Sequence, residues 1–273
     1  MTLLLRLILL LRQFAARLVY RCIEAISYLL NYTRPQPLNS LRVVIFAQGR
    51  TGSTLLESLL CSTGYFRPHG ELLDTSRGEI LFPLTFLRGL SKWKPKNNFI
   101  FHVKINHLIK NRQHPIDPAL FLSMLYKDGW KIIYLRRSNK VDHALSIYFG
   151  RNRSSRYLLN SWHKFDDKPE ELNISIDCDE FTKTTEKLIN YDAYEQKVLR
   201  DIEHHEVVYE EDLEKPQFHQ ETVNRILDYL SLEHKKAFTK HKKVNNQSPK
   251  ELVSNYEEFV GCLKKSGWSK FLE

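Results

Sequence analysis

The feature that most constrains the fold is a short apolar segment that leads into a glycine-containing loop and then into a helical pattern. Val43–Ala47 is apolar throughout, Gln48–Thr54 reads QGRTGST, and leucines follow at helical spacing at positions 55, 56, 59 and 60. The apolar run predicts a buried strand and the leucine spacing predicts a helix. A strand, loop and helix in this order is typical of the first unit of a nucleotide-binding α/β protein.

The loop contains the groups that bind phosphate. Its backbone N–H groups lie at a helix N-terminus, where the helix dipole favours an anion. Gly49 and Gly52 allow close approach of a ligand, and the side chains of Arg50, Ser53 and Thr54 add a positive charge and two hydroxyl donors. The alternative is a glycine-containing turn that binds nothing. A triphosphatase P-loop would require a Lys where this chain has Ser53, which argues against Mg²⁺-dependent triphosphate chemistry.

A second strand ends in two arginines. Lys131–Leu135 is apolar after its first residue, and Arg136 and Arg137 follow it. At the carboxyl end of a parallel strand, such side chains point toward the ligand crevice. Ser146 lies nine residues beyond Arg137, about two helical turns away, so both side chains could bind one phosphate. The alternative is that the two arginines pair with surface carboxylates.

The remaining apolar patterns alternate between strands and helices. Phe99–Ile105 and His204–Tyr209 read as further strands, and apolar residues recur at helical spacing from Phe181 to Ile202 and from Val223 to Leu230. We therefore predict an α/β protein with a P-loop-like nucleotide-binding fold, in which helices cover both faces of a central parallel sheet.

The N-terminal residues differ from the rest of the chain. Residues 1–32 are rich in Leu and Ile with interspersed arginines, which predicts an amphipathic basic helix rather than a membrane-spanning one. Such a helix binds an anionic membrane surface or packs on the domain; a degenerate signal anchor is the weaker third alternative. Residues 33–40 contain two prolines and read as a linker, and residues 41–273 form the predicted domain.

Composition narrows the partners. The formal net charge is +9 and the isoelectric point is near 9.2, which favours an anionic small ligand or a membrane surface. No nucleic-acid-binding motif accompanies the charge, so we expect no nucleic acid partner. The four cysteines form no CxxC pair, which indicates neither a metal site nor a disulfide framework.

Together the two phosphate-binding segments resemble the paired signatures of the sulfotransferases that use 3′-phosphoadenosine 5′-phosphosulfate (PAPS). Val208–Leu213, which reads VYEEDL, is similar to the YEDL element of that family. The resemblance extends from Leu41 to the C-terminus. The loop sequence and the nine-residue interval between Arg137 and Ser146 are most similar to carbohydrate sulfotransferases and to the bacterial trehalose and lipooligosaccharide types.

The resemblance implies a role for each matching residue. Arg50 would contact the 5′-phosphate and offset charge on the leaving oxygen. The phosphate cradle would comprise Gly49, Thr51, Gly52, Ser53 and Thr54. The 3′-phosphate would be bound by Arg137 and Ser146, with Arg136 as the alternative if the register shifts by one.

An acceptor hydroxyl also needs a base opposite the leaving group. The turn-rich segment Gly64–Glu71 follows the loop's helix. The resemblance makes Glu71 the first candidate, and His69 is the second because an imidazole near neutrality is chemically suited to be a base. Lys104 is similar to a basic residue near the transferred group, although a solvated surface lysine is an equal alternative. Residues 82–96 and 152–168 are expected to line the acceptor pocket.

We therefore expect a sulfotransferase that transfers a sulfuryl group from PAPS, without a metal, to a hydroxyl of a carbohydrate or glycolipid. The alternatives are a P-loop kinase and a nonenzymatic, membrane-apposed nucleotide-binding module. The expected location is the cytoplasm, peripheral to a membrane through residues 1–32, or the Golgi lumen in a eukaryote.

Overall fold

The computed structural model describes residues 3–36, 40–94, 98–110, 112–156, 174–241 and 248–271. Its described part contains a sheet of five parallel strands in the spatial order β2-β3-β1-β4-β5. The strands are β1 (Arg42–Ala47), β2 (Phe66–Pro68), β3 (Asn98–Val103), β4 (Lys131–Arg136) and β5 (His204–Val208).

Helices alternate with these strands along the chain. They are α1 (Leu3–Thr33), α2 (Ser53–Ser62), α3 (Pro83–Ser91), α4 (Ile105–Ile109), α5 (Pro118–Lys127), α6 (Lys140–Arg156) and α7 (Cys178–Leu199). After β5 come α8 (Tyr209–Asp212), α9 (His219–Tyr229), α10 (Pro249–Leu252) and α11 (Tyr256–Lys265).

The sheet separates two hydrophobic cores. All six residues of β1 are buried. Successive side chains of a strand point to opposite faces of the sheet. Val44 and Phe46 therefore pack in one core with residues of α3 and α5. Val43 and Ile45 pack in the other core with residues of α2 and α9. The predicted α/β architecture, with a parallel sheet covered by helices, is therefore confirmed.

Two details of the sheet differ from the sequence-based expectation. The strand expected over Phe99–Ile105 ends at Val103, because Lys104 lies at the start of α4. Lys104 thus follows the strand instead of belonging to it. The edge strand β2 was not predicted, since a three-residue segment with the sequence Phe-Arg-Pro carries no alternation to detect.

The N-terminal helix packs on the domain through its second half. Tyr20, Glu24 and Ser27 of α1 are buried, and the Tyr20 hydroxyl donates a hydrogen bond to the carbonyl of Leu72. Where α1 crosses α3, a β-carbon added to Gly89 would lie only 1.6 Å from the carbonyl oxygen of Ser27. The two backbones are in direct contact at this position. No helix in the described part of the chain has the length and apolar character needed to cross a membrane.

The crossing of α1 and α3 makes a stability prediction. Gly89→Ala should lower the free energy of unfolding by about 2 kcal/mol, because the added methyl group forces the two helices apart. Chemical denaturation of the full chain measures this change. Gly261→Ala is the matched control: Gly261 also lies within a helix, but a β-carbon added there would meet nothing within 4 Å, so alanine should stabilise by up to about 1 kcal/mol. Equal stability of the Gly89 variant and the wild type would contradict this packing.

Candidate functional site

The loop that follows β1 has an unusual backbone. Arg50 has a φ of 69° and Gly52 a φ of 93°, and α2 begins directly afterwards at Ser53. A positive φ is uncommon in a residue other than glycine and often marks a functional turn. Thr51 is fully buried, and its hydroxyl donates to the carbonyl of Gln48 at 2.8 Å. The structure thus brings the predicted residues from Gly49 to Thr54 together in one turn at the N-terminus of α2.

A buried histidine supports the loop from within the protein. The Nε2 atom of His143 lies 2.7 Å from the carbonyl oxygen of Gly49. Burial lowers the pKa of His143 to about 3, and the positive charges of Arg137, Lys140 and Arg50 act in the same direction. The ring is therefore neutral at physiological pH and donates its Nε2–H to the loop.

A buried carboxyl group holds the first residue of the loop. The Gln48 side chain donates to Oε2 of Glu195 on α7 at 3.0 Å, and the Tyr134 hydroxyl lies 3.3 Å from the same oxygen. Burial raises the pKa of Glu195 to about 8, and nearby Asp192 adds to the effect. Glu195 is thus largely protonated near neutrality. A signal for it was present in the sequence, since Glu195 occupies a core position seven residues beyond Leu188 in the apolar pattern of α7.

The two arginines after β4 have different partners. Arg137 lies with its Nε 3.2 Å from Oε1 of Glu210, and its guanidinium carbon is 4.4 Å from the ring centroid of Tyr209. The same ring covers Gly52, where an added β-carbon would lie 2.9 Å from it. Arg136 instead forms an ion pair with Glu206 on β5. Arg137 is therefore the arginine that is linked to the loop, through Tyr209.

Ser146 lies in the second turn of α6 and is partly buried.

Neither Arg136 nor Arg137 is a freely solvated cation, because each forms an ion pair with a carboxylate, as the alternative reading of the sequence had it. For Arg137, however, the pairing also fixes the side chain beside the loop. The VYEEDL segment supplies both of its partners, Tyr209 and Glu210.

Glu71 lies in a cluster of basic side chains. Its Oε1 is 2.6 Å from Nζ of Lys104 and its Oε2 is 3.3 Å from Nε2 of His107. His102 approaches within 3.8 Å. Burial favours the neutral carboxyl, but the hydrogen bond from His107 and the charge of Lys104 outweigh it and lower the pKa of Glu71 to about 2. The Nδ1 atom of His107 accepts a hydrogen bond from the backbone N–H of Lys104 at 3.4 Å. The Nε2 atom therefore carries a hydrogen and donates a hydrogen bond to Glu71.

Glu57 on α2 anchors the backbone next to Glu71. Its Oε1 accepts the backbone N–H groups of His69 at 3.1 Å and Gly70 at 2.9 Å, and its Oε2 is 3.5 Å from Nε2 of His102. Burial would raise the pKa of Glu57, but the hydrogen bonds from His102 and from the two backbone groups lower it. A buried carboxylate thus fixes the turn that presents Glu71. From the sequence, Glu57 was not a candidate, and His102 and His107 were expected to be structural or surface histidines, to be considered as bases only after Glu71 and His69.

Lys104 connects this cluster to the loop. A β-carbon placed on Gly49 would lie 3.8 Å from Cδ and Cε of Lys104 and 3.9 Å from its Nζ. The lysine therefore lies beside the loop and pairs with the Glu71 carboxylate. Within the described residues, His, Cys, Asp and Glu form no group of three or more that could hold a metal ion.

The second base candidate points elsewhere. The ring of His69 stacks on Phe99 with centroids 4.0 Å apart, and its Nδ1 is 2.9 Å from the carbonyl oxygen of Arg67. Burial lowers the pKa of His69. These ring contacts are at the β2–β3 edge, whereas Glu71 lies beside Lys104.

The segments expected to line an acceptor pocket are only partly described. Residues 82–96 include α3, which packs against α1. Residues 157–168 lie outside the part of the chain that the structure describes.

Comparisons with known proteins add no assignment: no protein-family model matches this chain, and no curated protein matches it significantly. The case for a function therefore depends on the geometry of the site.

The buried carboxyl group beneath the loop predicts a pH effect on stability. Since the pKa of Glu195 is raised in the folded state, the folded protein binds one more proton than the unfolded chain between the ordinary glutamate pKa and about 8. The protonated Glu195 therefore contributes its full stabilisation below the ordinary glutamate pKa. As the pH rises from there to about 8, the free energy of unfolding falls by up to roughly 1.4 kcal/mol per pH unit.

Glu195→Gln removes this titration and keeps an acceptor for Gln48. We expect the stability of the wild type to fall relative to the variant as the pH rises from about 5 to about 8, as measured by denaturation at several pH values. Parallel stability curves for the two proteins would show that Glu195 is ionised in the folded state.

Proposed function

We propose that this chain is a sulfotransferase that transfers a sulfuryl group from PAPS to a hydroxyl of a carbohydrate or glycolipid acceptor. The observation that carries the proposal is the position of Lys104, which lies beside Gly49 of the loop and forms an ion pair with Glu71. A group that binds an anion and a carboxylate that accepts a proton are thus neighbours at the loop, as in-line transfer to a hydroxyl requires.

The hydrogen-bond donors and positive charges around the loop and at Arg137 fit a nucleotide with two separated anionic groups. The backbone N–H groups at the start of α2, together with Arg50 and Lys104, suit the 5′-phosphosulfate. Arg137, fixed by Glu210 and Tyr209, suits the 3′-phosphate. Glycine is needed at position 52 for two structural reasons: the backbone there has a positive φ, and a β-carbon would collide with the ring of Tyr209. The role of Gly52 is therefore partly structural.

PAPS supplies an activated sulfuryl group with a phosphate leaving group, and the protein supplies charge and a base. The charges of Arg50 and Lys104 would stabilise the anionic oxygens during transfer. Glu71 would accept the proton of the acceptor hydroxyl. With a pKa of about 2 it is a weak base while Lys104 is bound to it. An anionic donor that attracts Lys104 would weaken this ion pair and increase the basicity of Glu71.

The kinase alternative has less support from the site. The residue after Gly52 is Ser53 rather than the lysine that a triphosphate loop uses, and the positive charges near the loop come from arginines and from Lys104 at the end of a different strand. A nonenzymatic binding module would not need Glu71 to be held by both His107 and Lys104.

The nucleotide assignment predicts metal-free binding of 3′-phosphoadenosine 5′-phosphate, the product nucleotide. The bisphosphate should raise the melting temperature equally with and without EDTA. Arg137→Ala should weaken its binding by about tenfold or more, because a charge-assisted hydrogen bond is lost. Arg136→Ala is the matched control and should change the affinity by less than about twofold, as measured by calorimetry. Stabilisation by ATP with Mg²⁺ but not by the bisphosphate would favour a kinase instead.

The base assignment predicts different effects of two substitutions. Glu71→Gln preserves the shape of the side chain and removes its basicity, so turnover should fall by about a hundredfold or more while affinity for the bisphosphate changes little. His69→Asn should reduce turnover less. The assay measures labelled sulfuryl transfer from PAPS to a panel of glycans and glycolipids. A nearly active Gln variant beside an inactive Asn variant would identify His69 as the base.

A further inference from the structure

The helix α1 has two opposite faces with different surroundings. Tyr20, Glu24 and Ser27 are buried against the domain. Phe14, Leu18 and Leu29 are 68%, 57% and 61% exposed. At about 100° per residue, each of these two sets occupies a sector of roughly 60°, and the two sectors lie on opposite sides of the helix. One face is thus covered by the domain, and the other presents large apolar side chains outward.

This outer face extends beyond the domain. Every residue from 14 to 19 is exposed, although the helix is continuous from Leu3 to Thr33. Leu81 and Phe82 lie along its flank and are 55% and 63% exposed; the Phe82 ring contacts Tyr28 of α1, with centroids 5.8 Å apart. Leu81 and Phe82 thus place two further exposed apolar side chains beside α1.

The charge of this region is positive. Residues 1–40 contain five arginines and a single acidic residue, Glu24. Glu24 is buried, where it pairs with Arg21 at 2.5 Å and accepts a hydrogen bond from the backbone N–H of Leu81 at 3.0 Å. The only acidic group of this segment is therefore paired against the domain, and Arg17 is exposed on the side of the helix between the two faces.

We propose that the outer face of α1, together with Leu81 and Phe82, binds an anionic lipid surface with the helix lying in the plane of the interface. An exposed apolar helix face, in a segment that carries five arginines and one acidic residue, is suited to a flat, negatively charged surface. A second copy of this chain fits less well, because two such helices would bring their arginines together. The proposal concerns a surface distinct from the loop and does not depend on sulfuryl transfer.

The test is sedimentation of the full chain with vesicles of phosphatidylcholine, with or without added phosphatidylserine. The wild type should bind the serine-containing vesicles, and high salt should weaken the binding. The double variant Leu18→Glu with Leu29→Glu should bind at least about tenfold more weakly, because two charges enter the apolar face. Arg17→Gln should lose about fivefold, the effect expected for one basic residue near the surface.

The matched control is Phe238→Glu, which places a charge on an aromatic residue that is 63% exposed on a different part of the protein. It should bind vesicles as the wild type does. Melting temperatures of all variants should remain close to that of the wild type, since the substituted side chains are exposed. Equal binding to both vesicle types, or unchanged binding of the double variant, would overturn the proposal.

A dimer interface is the competing outcome, and light scattering at several protein concentrations distinguishes it. A dimer that the double variant dissociates, in a protein that binds neither type of vesicle, would assign this face to self-association and overturn the lipid proposal. A monomer that binds only the serine-containing vesicles supports it.

Discussion

Parallel pairing of β1 with both β3 and β4 is the constraint on which the rest of the site depends. Phe46 lies opposite Val103, and Ala47 lies opposite Leu135, so the three strands end at the same edge of the sheet. The residues that follow them therefore emerge together. The loop after β1, Lys104 and the two arginines at the end of β4 come from distant parts of the chain, and the strand register brings them to one edge of the sheet.

Two buried, uncharged side chains hold the loop from the interior of the protein, and charged side chains lie near it. His143 has its pKa lowered by burial to about 3, and Glu195 has its pKa raised by burial to about 8, so neither carries a full charge near neutrality. Burial of two uncharged groups avoids the large cost of desolvating ions. The charged side chains near the loop are therefore Arg50, Lys104, Arg137 and Lys140, of which the last three pair with Glu71, Glu210 and Asp192.

The sequence was sufficient for the strands β1 and β4, because each is a short apolar run bounded by polar turns. Strand β5 was also predicted, although only Val207 and Val208 of its five residues are apolar. The sequence was also sufficient to place the loop before α2. It could not reveal the cluster around Glu71, since His102 and His107 reach that carboxylate only through the pairing of β3 with its neighbours. Likewise, periodicity identified α1 as amphipathic but not which of its apolar residues would be covered, because that depends on the contact at Gly89.

The ring of Tyr209 has a consequence for ligand selection. The ring contacts two parts of the site at once: it fills the space above Gly52 and it lies beneath the guanidinium of Arg137. The separation between the loop and this arginine, which are distant in the chain, is therefore fixed by the width of a single aromatic side chain. If the loop and Arg137 bind the two anionic groups of the proposed nucleotide, this fixed separation would favour molecules whose anionic groups have the matching spacing over molecules with the same charge at a different spacing.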